Sequence, residues 1–286
     1  MTKAIIISGG AFLAYAGASI VWSPVAYDKP WATAQLAGIG LAFVLGLRVK
    51  NPILWIGGLL WLISANSFVA LWQWGLGESL GFEGYPGWVG NPNIFGCFLV
   101  VGLALAIAYE CLLFLPFIVL GFSLIQSRGS FLAAGIVIFI AVWRRFPVTA
   151  VVALAMSFVI GIELSVEHRG VGILARMGIW QDTLNHLTLW GSGFGSFFEA
   201  YSSWPVHTNM TLMRASHAYN DFLELIFELG LGAIPLWVLM IVALSKESQA
   251  RLPCFAFFAL ALTYSPLTLP VLSQLFAFFL GQAART

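Results

Sequence analysis

Charge is scarce in this chain. Asp, Glu, Lys and Arg make up 9% of its 286 residues while hydrophobic residues make up 60%, which excludes an ordinary soluble domain with a solvated surface. The net charge is only +1, so neither a nucleic-acid partner nor an acidic tail is indicated, and basic residues have to be weighed by position. Cysteine is nearly absent as well. Cys97, Cys111 and Cys254 all fall in or at the ends of apolar stretches, and an odd number so placed argues against a disulfide framework and a Cys-based metal site. His168, His186, His207 and His217 lack the tight paired spacing of metal ligands, so neither a metal nor a cofactor is expected. There is no internal repeat, no low-complexity tract and no second soluble domain. The run GSGFGSF at 191–197 follows no strand and lacks a Walker lysine, which makes it a turn-forming loop rather than a phosphate cradle. No Ser stands on a strained elbow that would suit a Ser/His/Asp triad. The sequon at Asn209-Met210-Thr211 is a chance-level match.

What the chain has is apolar length. Crossing lipid takes about 20 mostly apolar residues, fewer where neighbours shelter the helix. About ten segments approach that length: 4–22, 31–47, 53–73, 92–109, 111–126, 130–143, 147–164, 221–245, 252–264 and 267–281. The first has only Lys3 as a basic flank and no small-residue cleavage site, so it reads as a retained helix rather than a signal peptide. The expectation is an all-α, polytopic transmembrane bundle forming one integral membrane domain over 1–286. With the N-terminus inside, the inner loops collect Lys3, Arg48, Lys50, Arg144, Arg145, Lys246, Arg251 and Arg285, eight of the thirteen basic residues, as the positive-inside bias requires. The outer side then holds Lys29, Arg128, Arg169, Arg176 and Arg214.

The outer loops carry the candidate chemistry. Residues 165–216 form an outside loop too long for a mere connection. Within it Ile173, Leu174, Met177, Trp180, Leu184 and Leu187 recur at helical spacing, which predicts an amphipathic helix near the membrane face. A smaller outside loop, 74–93, is rich in Gly and ends in Asn91-Pro92-Asn93, a helix start. In SHAYNDFLELIFELGLG, 216–232, a helix at about 100° per residue would place His217, Asp221, Glu224 and Glu228 within roughly 60° of one another. Carboxylates at membrane depth are costly unless paired or facing water. Taken singly, Arg128 reads as a cap or a snorkelling residue and Arg176 as a solvated one; His217 alone reads as an interfacial group. Together they suit a phosphate-rich, hydroxyl-bearing substrate. Guanidinium groups grip phosphate, His acts as a base, and a carboxylate one turn along, Asp221, orients the imidazole.

The segments SRGSFLA at 127–133, RMGIWQDTLNHLTLWGSGFGSF at 176–197 and SHAYNDFLELIFELGLG resemble, in that order, the O-antigen ligase and O-antigen polymerase family of bacterial membrane glycosyltransferases. The likeness covers about 90–245. It implies a GT-C-like helix bundle with a long periplasmic loop in the bacterial inner membrane. It also implies a metal-independent, inverting transfer of a glycan from a polyprenyl-diphosphate carrier to a glycan, lipid or protein acceptor, as in lipopolysaccharide and polysaccharide biosynthesis. Arg128 and Arg176 then correspond to the arginines that hold the diphosphate. The helix-start His is the general base, with Asp221 beside it. Arg214, Tyr219, Asn220 and Glu228 complete the expected substrate contacts. Family members commonly carry His-x-His-Asn here, whereas this chain has His217-Ala218-Tyr219-Asn220. His217 is favoured as base, with Tyr219 a substrate contact or a rival. The chain is also shorter than is usual in the family. A flippase for lipid-linked glycans would gather similar charges but should show repeated halves with broken helices, and a non-catalytic membrane subunit leaves the outer Arg and His without a purpose.

Overall fold

Where water is excluded, a backbone can satisfy its own polar groups as a helix, and apolar segments of this kind take that course. The computed structural model describes residues 2–77, 85–125, 127–143, 145–167, 173–204, 215–245 and 247–285, and every extended regular element among them is helical. In chain order these are α1 (Thr2–Trp22), α2 (Lys29–Arg48), α3 (Ile53–Leu76), α4 (Pro92–Ala108), α5 (Leu115–Leu124), α6 (Arg128–Val142) and α7 (Pro147–Glu167). There follow α8 (Ile173–Asn185), α9 (Phe197–Ser203), α10 (Asp221–Leu229), α11 (Ile234–Ser245), α12 (Arg251–Thr263) and α13 (Pro270–Arg285), with short 3₁₀ turns between some of them. By length and composition, three stretches among the described residues could cross a membrane unaided: Lys29–Arg48, Ile53–Leu76 and Asp221–Ser245. Of the other apolar helices, α1 and α7 have 21 residues each, and the rest are shorter, for example the 15 residues of α6, or about 22 Å at 1.5 Å per residue. Of the about ten spans expected from apolar length, three thus meet the requirement by length and composition among the described residues.

The chain divides into two compact units. The first comprises Met1–Arg48, Gly170–Arg251 and Tyr264–Thr286, the second Val49–Arg169 and Leu252–Thr263.

In the second unit α4 is the most deeply buried helix, with Phe95, Leu99, Val100, Ala104 and Leu105 fully enclosed, packed against α3, α5 and α6. Its start is as expected. Asn91 caps it by accepting from the N–H groups of Asn93 and Ile94 at 2.9 and 3.3 Å, with Pro92 following, where its missing N–H is harmless. The close of the preceding loop is held from α3: the Trp88 N–H donates to Asn66 Oδ1 at 2.7 Å and the Gly87 N–H to Gln73 Oε1 at 2.9 Å. Residues 78–84 of that loop lie outside the described set.

In the first unit α13 lies along α2 so closely that a Cβ at Gly46 would collide with the Phe278 carbonyl. Gln282 Nε2 donates to the Gly46 carbonyl at 2.6 Å. Small residues admitting close backbone approach are how helices associate without a hydrophobic drive between them. The apolar run 221–245 is not one regular helix. It breaks at the 3₁₀ turn Gly230–Ala233, between α10 and α11.

Candidate functional site: an acidic cavity at the start of α10

The site is built around the two ends of α10. At its start, Asn220 is extended and its side chain accepts from the Leu223 N–H at 3.2 Å, so Asn220 is the N-cap and its side-chain oxygen is used by the fold. Tyr219 before it takes a left-handed conformation, φ 54°, which turns the chain away from the helix axis. His217 therefore belongs to a bent lead-in, not to a helical stripe.

This bend changes the pairing expected from helical spacing. His217 Nδ1 lies 3.1 Å from Glu224 Oε1, and the other oxygen of Glu224 accepts from the Ala218 N–H at 2.8 Å and from Ser265 Oγ at 3.4 Å. The partner of His217 is thus Glu224, not Asp221. Asp221 turns instead toward the turn before α13, where its Oδ2 accepts from the Leu267 N–H at 2.9 Å. The three carboxylates of α10 are deeply buried, with Asp221 1%, Glu224 2% and Glu228 4% exposed, whereas the His217 side chain is one-third exposed.

At the far end of α10, the glycine loop 191–197 serves as a plug. The Ser192 N–H donates to the Phe227 carbonyl at 3.0 Å and the Gly193 N–H to the Glu228 carbonyl at 2.8 Å, and the Leu231 N–H returns to the Leu189 carbonyl at 3.0 Å. Carbonyls left open where a helix ends need such partners, above all in an apolar setting. The contact is possible only without side chains. A Cβ at Gly191, φ 76°, would collide with the Glu228 carbonyl, and one at Gly230, φ 54°, with that of Leu189. Glu228 closes the arrangement by accepting from the Phe197 N–H at 3.2 Å and from the Gly195 amide. Glu228, expected as a substrate contact, braces the loop and also lines the cavity described below. On its other side the loop meets α1, where Ser23 Oγ donates to the Ser192 carbonyl and the Phe194 N–H donates to Ser19 Oγ at 3.1 Å.

Outside α10 lies α8, which forms where the amphipathic pattern predicts. Trp180 Nε1 donates to the Ala218 carbonyl at 2.8 Å, fixing the lead-in beside His217. The Arg176 guanidinium lies 5.1 Å over the Tyr219 ring, within cation–π range. The packed face differs from the apolar stripe. Ile179, Asp182 and Thr183 are buried while Met177 and Leu184 are 53% and 56% exposed. The side of α8 that docks is the one that can donate to Ala218 and place Asp182 against Tyr201. The Tyr201 hydroxyl is pushed above its ordinary range by burial and by Asp182. Below these helices, His186 stacks on Trp204 at 3.9 Å.

Between the lead-in, the loop and the start of α2 is a cavity of about 200 Å³. Five carboxylates line it, Asp28, Glu199, Asp221, Glu224 and Glu228, together with His217. The sequence reading missed Asp28 and Glu199. Asp28 carries a legible signal, since in Asp28-Lys29-Pro30 it caps α2, its Oδ1 accepting from the Trp31 N–H at 3.1 Å. No Lys or Arg lines the cavity among the described residues. Arg128 begins α6 in the second unit, beside the hydrogen-bonded hydroxyls of Ser127 and Ser130, and Arg214 lies outside the described residues. Of the expected set, the first unit gathers His217, Tyr219, Asn220, Asp221, Glu228 and Arg176.

No protein-family model matches the chain, and no curated protein matches it either.

Chemically, the cavity joins one base to several acceptors. A carboxylate accepting from Nδ1 sets the tautomer with the proton on Nδ1 and leaves the Nε2 lone pair free to take a proton. Carboxylate oxygens around it accept hydrogen bonds from hydroxyl or ammonium groups.

Proposed function

We propose that the chain is a membrane glycosyltransferase of the O-antigen ligase and polymerase type, working at the periplasmic face of the bacterial inner membrane in a bundle of about ten spans. Its donor is a glycan on a polyprenyl diphosphate, and its acceptor hydroxyl enters the acidic cavity. The single observation that carries this reading is the His217 to Glu224 hydrogen bond at the cavity wall. His217 Nε2 removes the acceptor proton while the acceptor oxygen bonds to the anomeric carbon. The bond from that carbon to the diphosphate breaks, and its electron pair leaves with the lipid diphosphate, inverting the centre. The leaving group is already a good one, so a base on the acceptor and positive charge on the diphosphate are the main needs. Arg128, Arg176 and Arg214 remain the groups proposed for that charge, and Asn220 supports the base by capping α10.

A second reading has one observation in its favour. The run 221–245 is a broken helix with carboxylates at its first half, a feature of ion-coupled transporters. The test is glycan transfer in membranes from a lipid-diphosphate-linked donor at matched expression. His217→Ala and Glu224→Gln should lose about 10²-fold or more, the range of general-base catalysis, and Arg128→Ala and Arg176→Ala should raise KM for the donor, while Tyr219→Phe stays active. Full activity of His217→Ala removes the base. Absence of transfer by the unaltered protein, with donor crossing the bilayer, favours the transporter.

A further inference from the structure

The cavity holds a feature that a hydroxyl acceptor alone does not use. Asp221 is 1% exposed, and while its Oδ2 accepts from the Leu267 N–H, its Oδ1 is buried with no hydrogen-bond partner among the described residues. A buried carboxylate oxygen without a donor is costly, and Asp221 is among the residues that line a cavity of about 200 Å³, against the about 10–15 Å³ that one water needs. Four more carboxylates share that wall. Glu224, Glu228 and Asp28 have donors from the protein, and Asp28 and Glu199 are the more exposed members of the wall. The group that completes Asp221 is therefore a hydrogen-bond donor, and the surrounding charge selects a positive one. No three His, Cys, Asp or Glu side chains among the described residues converge as metal ligands do. Trp31 also lines the cavity, and an indole is the aromatic group that attracts organic cations best.

We infer that the cavity binds a hydroxylated primary ammonium, such as an amino sugar, with the ammonium on Asp221 and the acidic rim and a hydroxyl within reach of His217. This rests on the transferase reading only for the role of the hydroxyl. The ammonium subsite stands on the cavity itself, and the two fail separately.

The experiment is ligand-observed saturation-transfer NMR on the full chain in lipid nanodiscs, titrating glucosamine, N-acetylglucosamine, glucose and ethanolamine. Glucosamine should saturate at about tenfold lower concentration than glucose or N-acetylglucosamine, as a charge-assisted hydrogen bond requires. That preference should shrink in Asp221→Asn and, independently, in Glu199→Gln, a rim change that leaves α10 intact. Ethanolamine competing as well as glucosamine supports the ammonium subsite and assigns its ligand to a lipid headgroup. Failure of ethanolamine to compete supports an amino sugar. Equal saturation by glucosamine and glucose, or a preference unchanged in both variants, overturns the inference. Glucosamine preference with no glycan transfer to any acceptor would sink the transferase reading and leave the subsite standing. Transfer to acceptors without regard to an amine does the reverse.

Discussion

Glu224→Gln tests the site most sharply, because Gln fills the same space but cannot do what Glu224 does twice. The carboxylate accepts on both sides, from His217 Nδ1 at 3.1 Å and from the Ala218 N–H at 2.8 Å. An amide has one oxygen and one NH₂. Ala218 is fully buried, and leaving its N–H without a partner costs about 1–3 kcal/mol, so the amide oxygen goes to Ala218 and the NH₂ faces Nδ1. The imidazole must then accept at Nδ1 and carry its proton on Nε2, the nitrogen that has to take the acceptor proton. Losing the carboxylate also replaces a charge-assisted hydrogen bond of about 1.5–3 kcal/mol with a neutral one of about 0.5–1.5 kcal/mol. Together these should lower the rate of transfer by about 10²-fold or more, the weight of general-base catalysis, with donor KM and thermal stability little changed. Histidine-selective ¹⁵N spectra should show the proton moving from Nδ1 to Nε2. Transfer by Glu224→Gln within about threefold of the unaltered protein, with His217→Ala inactive, would refute the reasoning, since the base would then work without the orientation that the hydrogen bond supplies.

Other substitutions test the surroundings. Gly191→Ala should lower stability by at least about 2 kcal/mol, because a Cβ is strained at φ 76° and collides with the Glu228 carbonyl. Gly10→Ala, where a Cβ meets nothing, should leave the detergent melting midpoint unchanged or raise stability by up to about 1 kcal/mol. Trp180→Phe removes the donor to the Ala218 carbonyl, and the midpoint and the transfer rate should fall together by the equivalent of about 1–3 kcal/mol; an unchanged rate would separate α8 from the lead-in. Tyr27, between α1 and α2, has its hydroxyl pushed up from 10.0 to about 12 by burial and by the nearby Glu228 charge. A phenol whose folded value is raised stays neutral in both states below pH 10.0 and destabilises the fold as pH climbs from there toward about 12. Tyr27→Phe should therefore melt at a higher alkaline pH than the unaltered protein in a pH-resolved unfolding series, and a coincident alkaline limit would contradict this.

Helix positions were legible where local chemistry sets them. Asn91-Pro92 marks the start of α4, and apolar spacing marks α8, because a cap and a periodicity are written in adjacent residues. The site was legible in membership and not in pairing. His217, Asp221, Glu224 and Glu228 stand out as polar groups in an apolar run, but assigning Asp221 to His217 assumed that the helix already turns at His217. Tyr219 at φ 54° interrupts it, and one non-helical residue is enough to shift the partner from four positions on to seven. The role of 191–197 was half legible. Its glycines read as a turn, yet what the turn meets is the end of α10 more than thirty residues later in the chain, and no local pattern reports a contact between segments so far apart. The place of Asp28 and Glu199 in the cavity was not legible for the same reason. Each is ordinary in its own segment and becomes part of an acidic wall only when the start of α2 and α9 come beside α10.

The buried carboxylates argue for function in their own right. A nine-residue helix with Asp221, Glu224 and Glu228 beneath its surface carries a desolvation cost that pairing often does not return in full. Structural duty accounts for part of the set, because Glu224 gathers the bent lead-in and Glu228 holds the glycine loop across the helix break. Neither duty needs Asp221 Oδ1, and neither needs the His217 imidazole held by a carboxylate while its other nitrogen is left for a visitor. A fold selected for stability alone has no use for an unfinished hydrogen bond at the wall of an open cavity. Such a feature makes physical sense when a ligand finishes it, and on the proposed function that ligand is the acceptor, held in the acidic cavity beside His217.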